Sequence, residues 1–368
     1  MDQMDQKLLR QREAKCIQEN PPGCTARCPV HVDVKGIVEA VGKKEYTKGV
    51  ALFTRMVPFP GIISRICDQP CQQACKRNEI EEAIFIRGLE QICVDQVQSG
   101  NNITSQPLKN KTVAIVGAGL SGLTVAFELG RKGYKAEIFE ATDRLGGLIW
   151  DYPESQLPRQ WIQNDLSVLA KLPVKIHYNT TITSLDPLID QFDAVYAGTG
   201  FRHNWDREFS FTRNAQGELE LDPLTLAVSR GKVFAGGGVK RFPNQYSPIS
   251  SLADGKMAAT SIDRLFQNAS LSANREREGP FTTSLYTSIY GIQPEPRVQA
   301  SDPVGGYTEQ EAAREADRCL LCECLECVKV CEYLAHYRSY PKRYVREIYN
   351  NLSIVMGIHR ANKMINSC

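Results

Sequence analysis

The stretch "KTVAIVGAGLSGLTVAFELGRKGYKAEIFEA", Lys111 to Ala141, decides the fold of this chain. A β-branched run ends in G-x-G-x-x-G at Gly117, Gly119 and Gly122. An apolar helix pattern follows, then a second β-branched run that stops at Glu140. Glycines at this spacing allow a tight turn and let backbone N–H groups approach a pyrophosphate, to which the helix N-terminus adds its partial positive charge. Glu140 follows Gly122 by 18 residues, where an acid can bind ribose hydroxyls. Strand, turn, helix and acid in register predict a Rossmann-like α/β domain with a dinucleotide site. The same apolar run is broken by glycines and contains Glu128, so no membrane span is expected from it.

Outward from this stretch the composition changes. Residues 1–105 are cysteine-rich with helical periodicity, and "GNNITSQPLKNK" (100–111) reads as a linker. The strand–helix pattern runs over 106–267 and closes with a helix ending near Phe266. Residues 268–306, rich in Ser, Pro and Gly, predict a long irregular connection. A cysteine module follows over 307–335. Its first helix is announced by Thr308 and Glu311, three apart as in a capping box. The tail, 336–368, is basic and rich in tyrosine. The expected fold is multidomain α+β: a helical N-terminal domain, a Rossmann-like domain and a small C-terminal cysteine module.

The chain of 368 residues holds thirteen cysteines and a net charge of +2. That balance gives no field for nucleic acid, and no nucleic-acid fold motif accompanies the basic tail. "MDQMDQKLLRQREAK" has no apolar h-region, so no signal peptide is expected and the chain is placed in the cytoplasm. There, clustered cysteines read as metal ligands or redox centres rather than disulfides. "CLLCECLECVKVC" carries Cys319, Cys322, Cys324, Cys327 and Cys331, four of them spaced C-x2-C-x4-C-x3-C. "CIQENPPGCTARC" has the same spacing at Cys16, Cys24 and Cys28, with Glu19 in the second place. "CDQPCQQAC" adds Cys67, Cys71 and Cys75. Short C-x2-C and C-x3-C spacings suit iron–sulfur clusters. A zinc ribbon would put a loop between two C-x2-C pairs, whereas Cys319/Cys322 and Cys324/Cys327 are one residue apart.

On these motifs, with "MVPFPGIISRICDQPCQQACKR" and "IFIRGLEQ", residues 12–95 resemble the N-terminal iron–sulfur domain of the glutamate synthase small subunit and of dihydropyrimidine dehydrogenase. The resemblance implies two to three [4Fe–4S] clusters along the chain. It gives one cluster Cys28, Cys67, Cys71 and Glu90, and another Cys16, Cys24 and Cys75. Glu19, where the family has cysteine, leaves that second cluster using a carboxylate, short of a ligand, or absent. Cys319, Cys322, Cys327 and Cys331 are expected to hold a third, with Cys324 as the rival to Cys322. Cys93 reads as a buried structural thiol, the alternative being that it substitutes for the ligand missing at Glu19.

The Rossmann part resembles the FAD half of the same family. The run E-x3-R-x-G-G places Arg144, Gly146 and Gly147 along the FAD, and "FDAVYAGTG" brings Thr199 back to it. "KVFAGGGV" and "SLADGKMAA" supply Gly237, Gly238 and Gly255, with Gly238 where the family carries Asp. Between these strands the family inserts an NAD(P)H domain. Only residues 201–231 stand here, without a second glycine turn, so NAD(P)H is not expected to bind this chain. The implied activity is that of an FAD/[4Fe–4S] oxidoreductase subunit serving an electron-transfer protein or other subunits of a redox complex. The alternatives are an NAD(P)H-dependent reductase, a cluster-bearing scaffold without catalysis, or a zinc adaptor.

Overall fold

The structure, a computed structural model, describes residues 6–97, 103–201, 209–215, 219–240, 246–302 and 304–353. Seven short helices open the chain: α1 Gln6–Ala14, α2 Gly23–Arg27, α3 Val34–Gly42, α4 Tyr46–Thr54, α5 Pro60–Ile66, α6 Pro70–Gln73 and α7 Ile86–Gln96. The Asp33 carboxylate caps α3 by accepting from Gly36 N–H at 3.0 Å. Their apolar faces meet in a core that includes Ile37, Phe53, Phe59, Ile62 and Leu89, none more than 1% exposed. Cys24, Cys28, Cys67, Cys71 and Cys75 sit on α2, α6 and the turns beside them, Cys16 follows α1, and Cys93 lies on α7.

Five parallel strands follow in the spatial order β3-β2-β1-β4-β5. They are β1 Thr112–Val116, β2 Lys135–Phe139, β3 Val174–His177, β4 Ala194–Ala197 and β5 Val233–Ala235. Val113 is in register with Ala136 on one side and Ala194 on the other. Helices and loops cover both faces, so the central strands are apolar throughout. Val113 and Ile115 join the larger core, while Ala114 and Val116 point into a second one with Phe209, Phe211 and Val233. This two-residue alternation separates the face shared with the N-terminal domain from the outer face. Helix α8, Leu120–Arg131, leaves the glycine turn. Helices α9 Arg159–Leu166 and α10 Asp186–Gln191 follow, and α11 Pro248–Phe266 packs on α8. Helix α11 starts at Pro248 after the Ser247 cap and ends at the position expected from sequence. No described helix is long and apolar enough to cross a membrane.

The segment after α11 is irregular, and it is fastened to both domains. The fully buried Arg275 side chain donates to Ser261 Oγ at 2.7 Å and to Met257 O at 3.0 Å. Phe281 N–H donates to Ala26 O at 3.0 Å, and Arg297 donates to Ala83 O at 2.9 Å. Helix α12, Glu309–Asp317, carries the full Thr308–Glu311 capping box and packs against α3 and α7. The C-terminal module is thereby built onto the N-terminal domain. Short helices α13 Glu326–Val330 and α14 Glu332–His336 lead to α15 Pro341–Ser353, which lies along α1.

Candidate redox centres and dinucleotide site

A cavity of about 290 Å³ opens at the carboxyl ends of β1 and β4, where the strand order reverses. Gly117, Gly119, Glu140, Gly147, Thr199 and Gly238, all named as candidate cofactor residues, line it. The three glycines of the turn divide their work. Gly117 has φ +96°, and a side chain there would meet Gly198 O at 2.6 Å. A side chain on Gly122 would meet Gly117 O at 2.1 Å, so this glycine lets α8 close on β1. A Cβ on Gly119 would meet nothing nearer than Gly198 O at 4.0 Å, so this position faces the cavity. Glu140 holds the turn: its carboxylate accepts from Ala118 N–H at 2.8 Å and from Thr142 N–H at 2.9 Å. Thr199 Oγ1 is buried in the wall without a hydrogen-bond partner, which suits a polar ligand.

The other residues expected at this site lie around the cavity rather than in its lining. Gly146, at φ +113°, pairs its turn to the glycine loop through a 2.8 Å bond from its N–H to Ala118 O. The exposed Arg144 guanidinium stands 5.0 Å over the Trp150 ring. Gly255 packs α11 against Ser121 O and Thr124. Gly237, at φ +71°, donates its N–H to Asp254 at 2.9 Å, and Lys240 pairs with the same carboxylate at 2.5 Å. A buried acid under the "GGG" turn thus comes from α11 rather than from position 238. Sequence reasoning missed Asp254, and also Thr142, Tyr246 and Ser251 in the cavity wall. Only Asp254 left a signal, as an acid near the start of an apolar helix.

Seven of the described cysteines gather in two places. Cys28, Cys67 and Cys71 are buried and all sense the Glu90 charge. Burial pushes the Glu90 carboxyl up to about 8, with Arg87 partly offsetting. Burial likewise raises the three thiols above their ordinary value. Three thiols and an acid enclosed together fit one cluster, and loading would release their protons. This is the ligand group implied by the resemblance.

The second gathering differs from the expected one. Cys24 and Cys75 line a cavity with Cys319 and Cys322, and Cys16 is not part of that lining. Burial raises the Cys24 thiol well above its ordinary value, and the charges of Cys319, Cys75 and Cys322 add to the rise. Burial pushes Cys319 up to about 11, against a hydrogen bond from Leu321 N–H and with Cys322 and Cys75 adding to the rise. Cys71 senses Cys24, so the two gatherings adjoin. Cys93 is fully buried between α4 and α7, where a Gly49 side chain would meet its sulfur at 2.5 Å. Among the described residues no three His, Cys, Asp or Glu side chains meet on a single-ion site. The thiols of a four-iron cluster surround a cube rather than one ion.

The first gathering also touches the dinucleotide cavity. Ser247 Oγ donates to Asp68, next to Cys67, at 2.8 Å. Tyr152 and Tyr246 both sense the Asp68 charge, and Tyr246 lines the cavity.

Comparison with known proteins agrees with this division. Residues 2–102 match the dihydropyrimidine dehydrogenase domain II 4Fe–4S cluster family. Residues 115–173 match the NAD(P)-binding Rossmann-like domain, and residues 318–368 the 4Fe–4S dicluster domain. The chain is 30% identical over 205 residues to the β subunit of NADP(+)-dependent formate dehydrogenase from Moorella thermoacetica, covering 48% of this chain and 29% of that protein. It is 33% identical over 186 residues to the NADPH–Fe(3+) oxidoreductase β subunit of Geobacter sulfurreducens, 48% of this chain and 28% of the other. It is 26% identical over 235 residues to the glutamate synthase [NADPH] small chain of Bacillus subtilis, 60% and 48% of the two chains. It therefore spans less than half the length of each of these relatives. A solved thioredoxin reductase from Gloeobacter violaceus aligns over 43% of this chain and 96% of its own at 12% identity and a TM-score of 0.31, too slight to carry an argument. The chain is thus similar to oxidoreductase subunits that include the glutamate synthase small chain, and its segments match a cluster domain of the dihydropyrimidine dehydrogenase kind, a Rossmann-like domain and a 4Fe–4S dicluster domain.

Proposed function

We propose that the chain is a cytoplasmic electron-transfer subunit that carries FAD and [4Fe–4S] clusters and passes electrons between them and a protein partner or other subunits of a redox complex. One observation carries this reading: the thiol groups lie in sequence from the dinucleotide cavity outward. Cys67 adjoins the cavity through Asp68 and Ser247, and Cys71 adjoins Cys24 of the next group. Flavin suits the junction because it exchanges single electrons with clusters and pairs with organic partners. FAD rather than NAD(P) is supported by the Arg144–Gly147 element and by the short passage between β4 and β5. The described residues of 201–231 form no second strand–helix unit, and β5 pairs directly with β4. The glycine turn itself is common to both kinds of dinucleotide.

Hydride transfer needs a nicotinamide ring held in near-attack contact with the flavin. The protein mixed anaerobically with NADH or NADPH is therefore expected to stay oxidised for minutes, while dithionite bleaches both flavin and cluster absorbance. Stoichiometric reduction by NADPH within seconds would replace this reading with that of an NAD(P)H-dependent reductase.

A further inference from the structure

We propose that the N-terminal and C-terminal cysteine motifs exchange ligands: Cys24 and Cys75 share one [4Fe–4S] cluster with Cys319 and Cys322, and Cys16 holds another with Cys324, Cys327 and Cys331. This deepens the function proposed above and rests on it for the nature of the metal centre.

The first set stands on a built site. Its four sulfurs line one cavity formed by α2, the turn after α6 and the chain leaving α12. Arg77 and Lys35 line the same cavity. Arg77 is 3% exposed and pairs with Glu81, and its Nη2 is buried without a hydrogen-bond partner. Four thiolates around an iron–sulfur core make a net anion, and the buried Nη2 donor that the Glu81 pair leaves over is what such an anion would satisfy.

The second set follows from what remains. Cys324 N–H donates to Gln18 Oε1 at 2.7 Å, across 306 positions of sequence and two residues from Cys16. The Cys16–Glu19 turn thus abuts the strand of chain that carries Cys324. Each motif alone is mismatched to a whole number of clusters. The C-terminal module has five cysteines, one too many for one cluster and too few for two. The N-terminal motif has Glu19 in place of a cysteine. Exchange resolves both. Setting aside Cys93, and Cys368, which lies outside the described residues, eleven cysteines remain of the thirteen. With Glu90 they make three complete sets of four. Crossed ligation of this kind occurs in two-cluster ferredoxins, where the last cysteine of one motif serves the other cluster.

The test is a cycle of variants of the full chain, purified anaerobically, with iron, sulfide, zinc and flavin measured and EPR recorded after dithionite. Wild type is expected to hold about 12 iron. The pair Cys24→Ser/Cys75→Ser and the pair Cys319→Ser/Cys322→Ser should each lose about four iron and the same EPR signal. All four substitutions together should lose no more than either pair. Losses that add would overturn the exchange, because separate clusters would then be held at the two ends. About eight iron in wild type would overturn the second set. Where a pair does not accumulate as folded protein, single Cys75→Ser and Cys322→Ser variants should alter one common EPR signal, and changes in two different signals would overturn the pairing. Zinc in place of iron would overturn the proposed function as well, whereas full iron without flavin would overturn only the function.

Discussion

The Tyr340 hydroxyl donates to the Glu19 carboxylate at 2.8 Å. Arg346 and Lys342 pair with the same carboxylate at 2.7 and 3.6 Å, and Arg346 also pairs with Glu13 at 2.5 Å. Against the upward push of partial burial, Tyr340, Arg346 and Lys342 hold the Glu19 carboxyl below the usual carboxylate range. The residue in the cysteine position of the first motif is therefore the hub that ties the C-terminal helix to α1. Glu19→Cys is expected to leave iron content and the EPR spectrum unchanged. It should cost about 1 kcal/mol of stability and speed proteolysis of the 341–353 helix, since partly exposed ion pairs contribute little each. A gain of iron, or a new cluster signal, would show that the position can ligate.

Gly119→Val should remove the dinucleotide and leave the clusters. Its Cβ would meet only Gly198 O at 4.0 Å, so the fold has room for it, while the branched side chain fills the space that a pyrophosphate must enter. Gly122→Ala is the contrasting variant, because its Cβ would meet Gly117 O at 2.1 Å and should lower the melting temperature instead. Flavin content and thermal unfolding separate the two outcomes. Full flavin in the Gly119 variant would place the cofactor elsewhere.

The glycine turn, the Thr308–Glu311 box and the end of α11 were legible because each is written within a few consecutive residues. Cys28, Cys67, Cys71 and Glu90 were legible through resemblance alone. The meeting of Cys24 and Cys75 with Cys319 and Cys322 was not, because spacing within a motif says nothing of which distant segment packs on it. The same limit hid the work of residues 268–306. Composition marks them as irregular, but the burial of Arg275 and the bonds of Arg297 depend on partners far along the chain. Gly255 reads as a flavin neighbour in sequence, and the structure gives it to helix packing because Ser121 and Thr124 stand over it.

Asp165, 5% exposed on α9, accepts from Ile62 N–H at 2.7 Å at the start of α5. Burial pushes its carboxyl up to about 7 from an ordinary 3.8, although bonds from Ile62 and Gly61 and the Arg65 charge oppose the rise. The native state keeps this proton over a range in which the unfolded chain has lost it. Stability from this group is thus greatest below its unfolded value, falls as pH rises through the window up to about 7, and levels off above. Asp165→Asn should flatten that part of the profile, so the variant gains relative to wild type between pH 5 and 8. Urea midpoints across this range test it, and parallel profiles would mean that Asp165 is ionised throughout.

Glu315 is the joint between the two cluster modules. It is fully buried, and its carboxylate accepts from Phe85 N–H at 2.8 Å, Val298 N–H at 3.0 Å and Arg318 at 2.8 Å. Arg318, 3% exposed, continues the contact to Glu82 O at 2.8 Å and Glu295 O at 3.0 Å. One side chain thus binds the N-terminal domain, the 268–306 segment and the helix that leads to Cys319. Glu315→Ala would leave Arg318 buried without its main counter-charge and two backbone donors unmet, a cost of about 3–5 kcal/mol. Replacing both partners, as Glu315→Leu with Arg318→Met, should recover part of that loss, because no buried charge is stranded. The backbone donors of Phe85 and Val298 stay unmet, so recovery stops short of wild type. If Glu315 holds Cys319 and Cys322 against Cys24 and Cys75, the single variant should also lose iron, and the double variant should regain some of it. Urea unfolding and iron content on the same samples test the coupling. A single variant within about 0.5 kcal/mol of wild type, a scale typical of surface changes, would show that the modules are joined some other way.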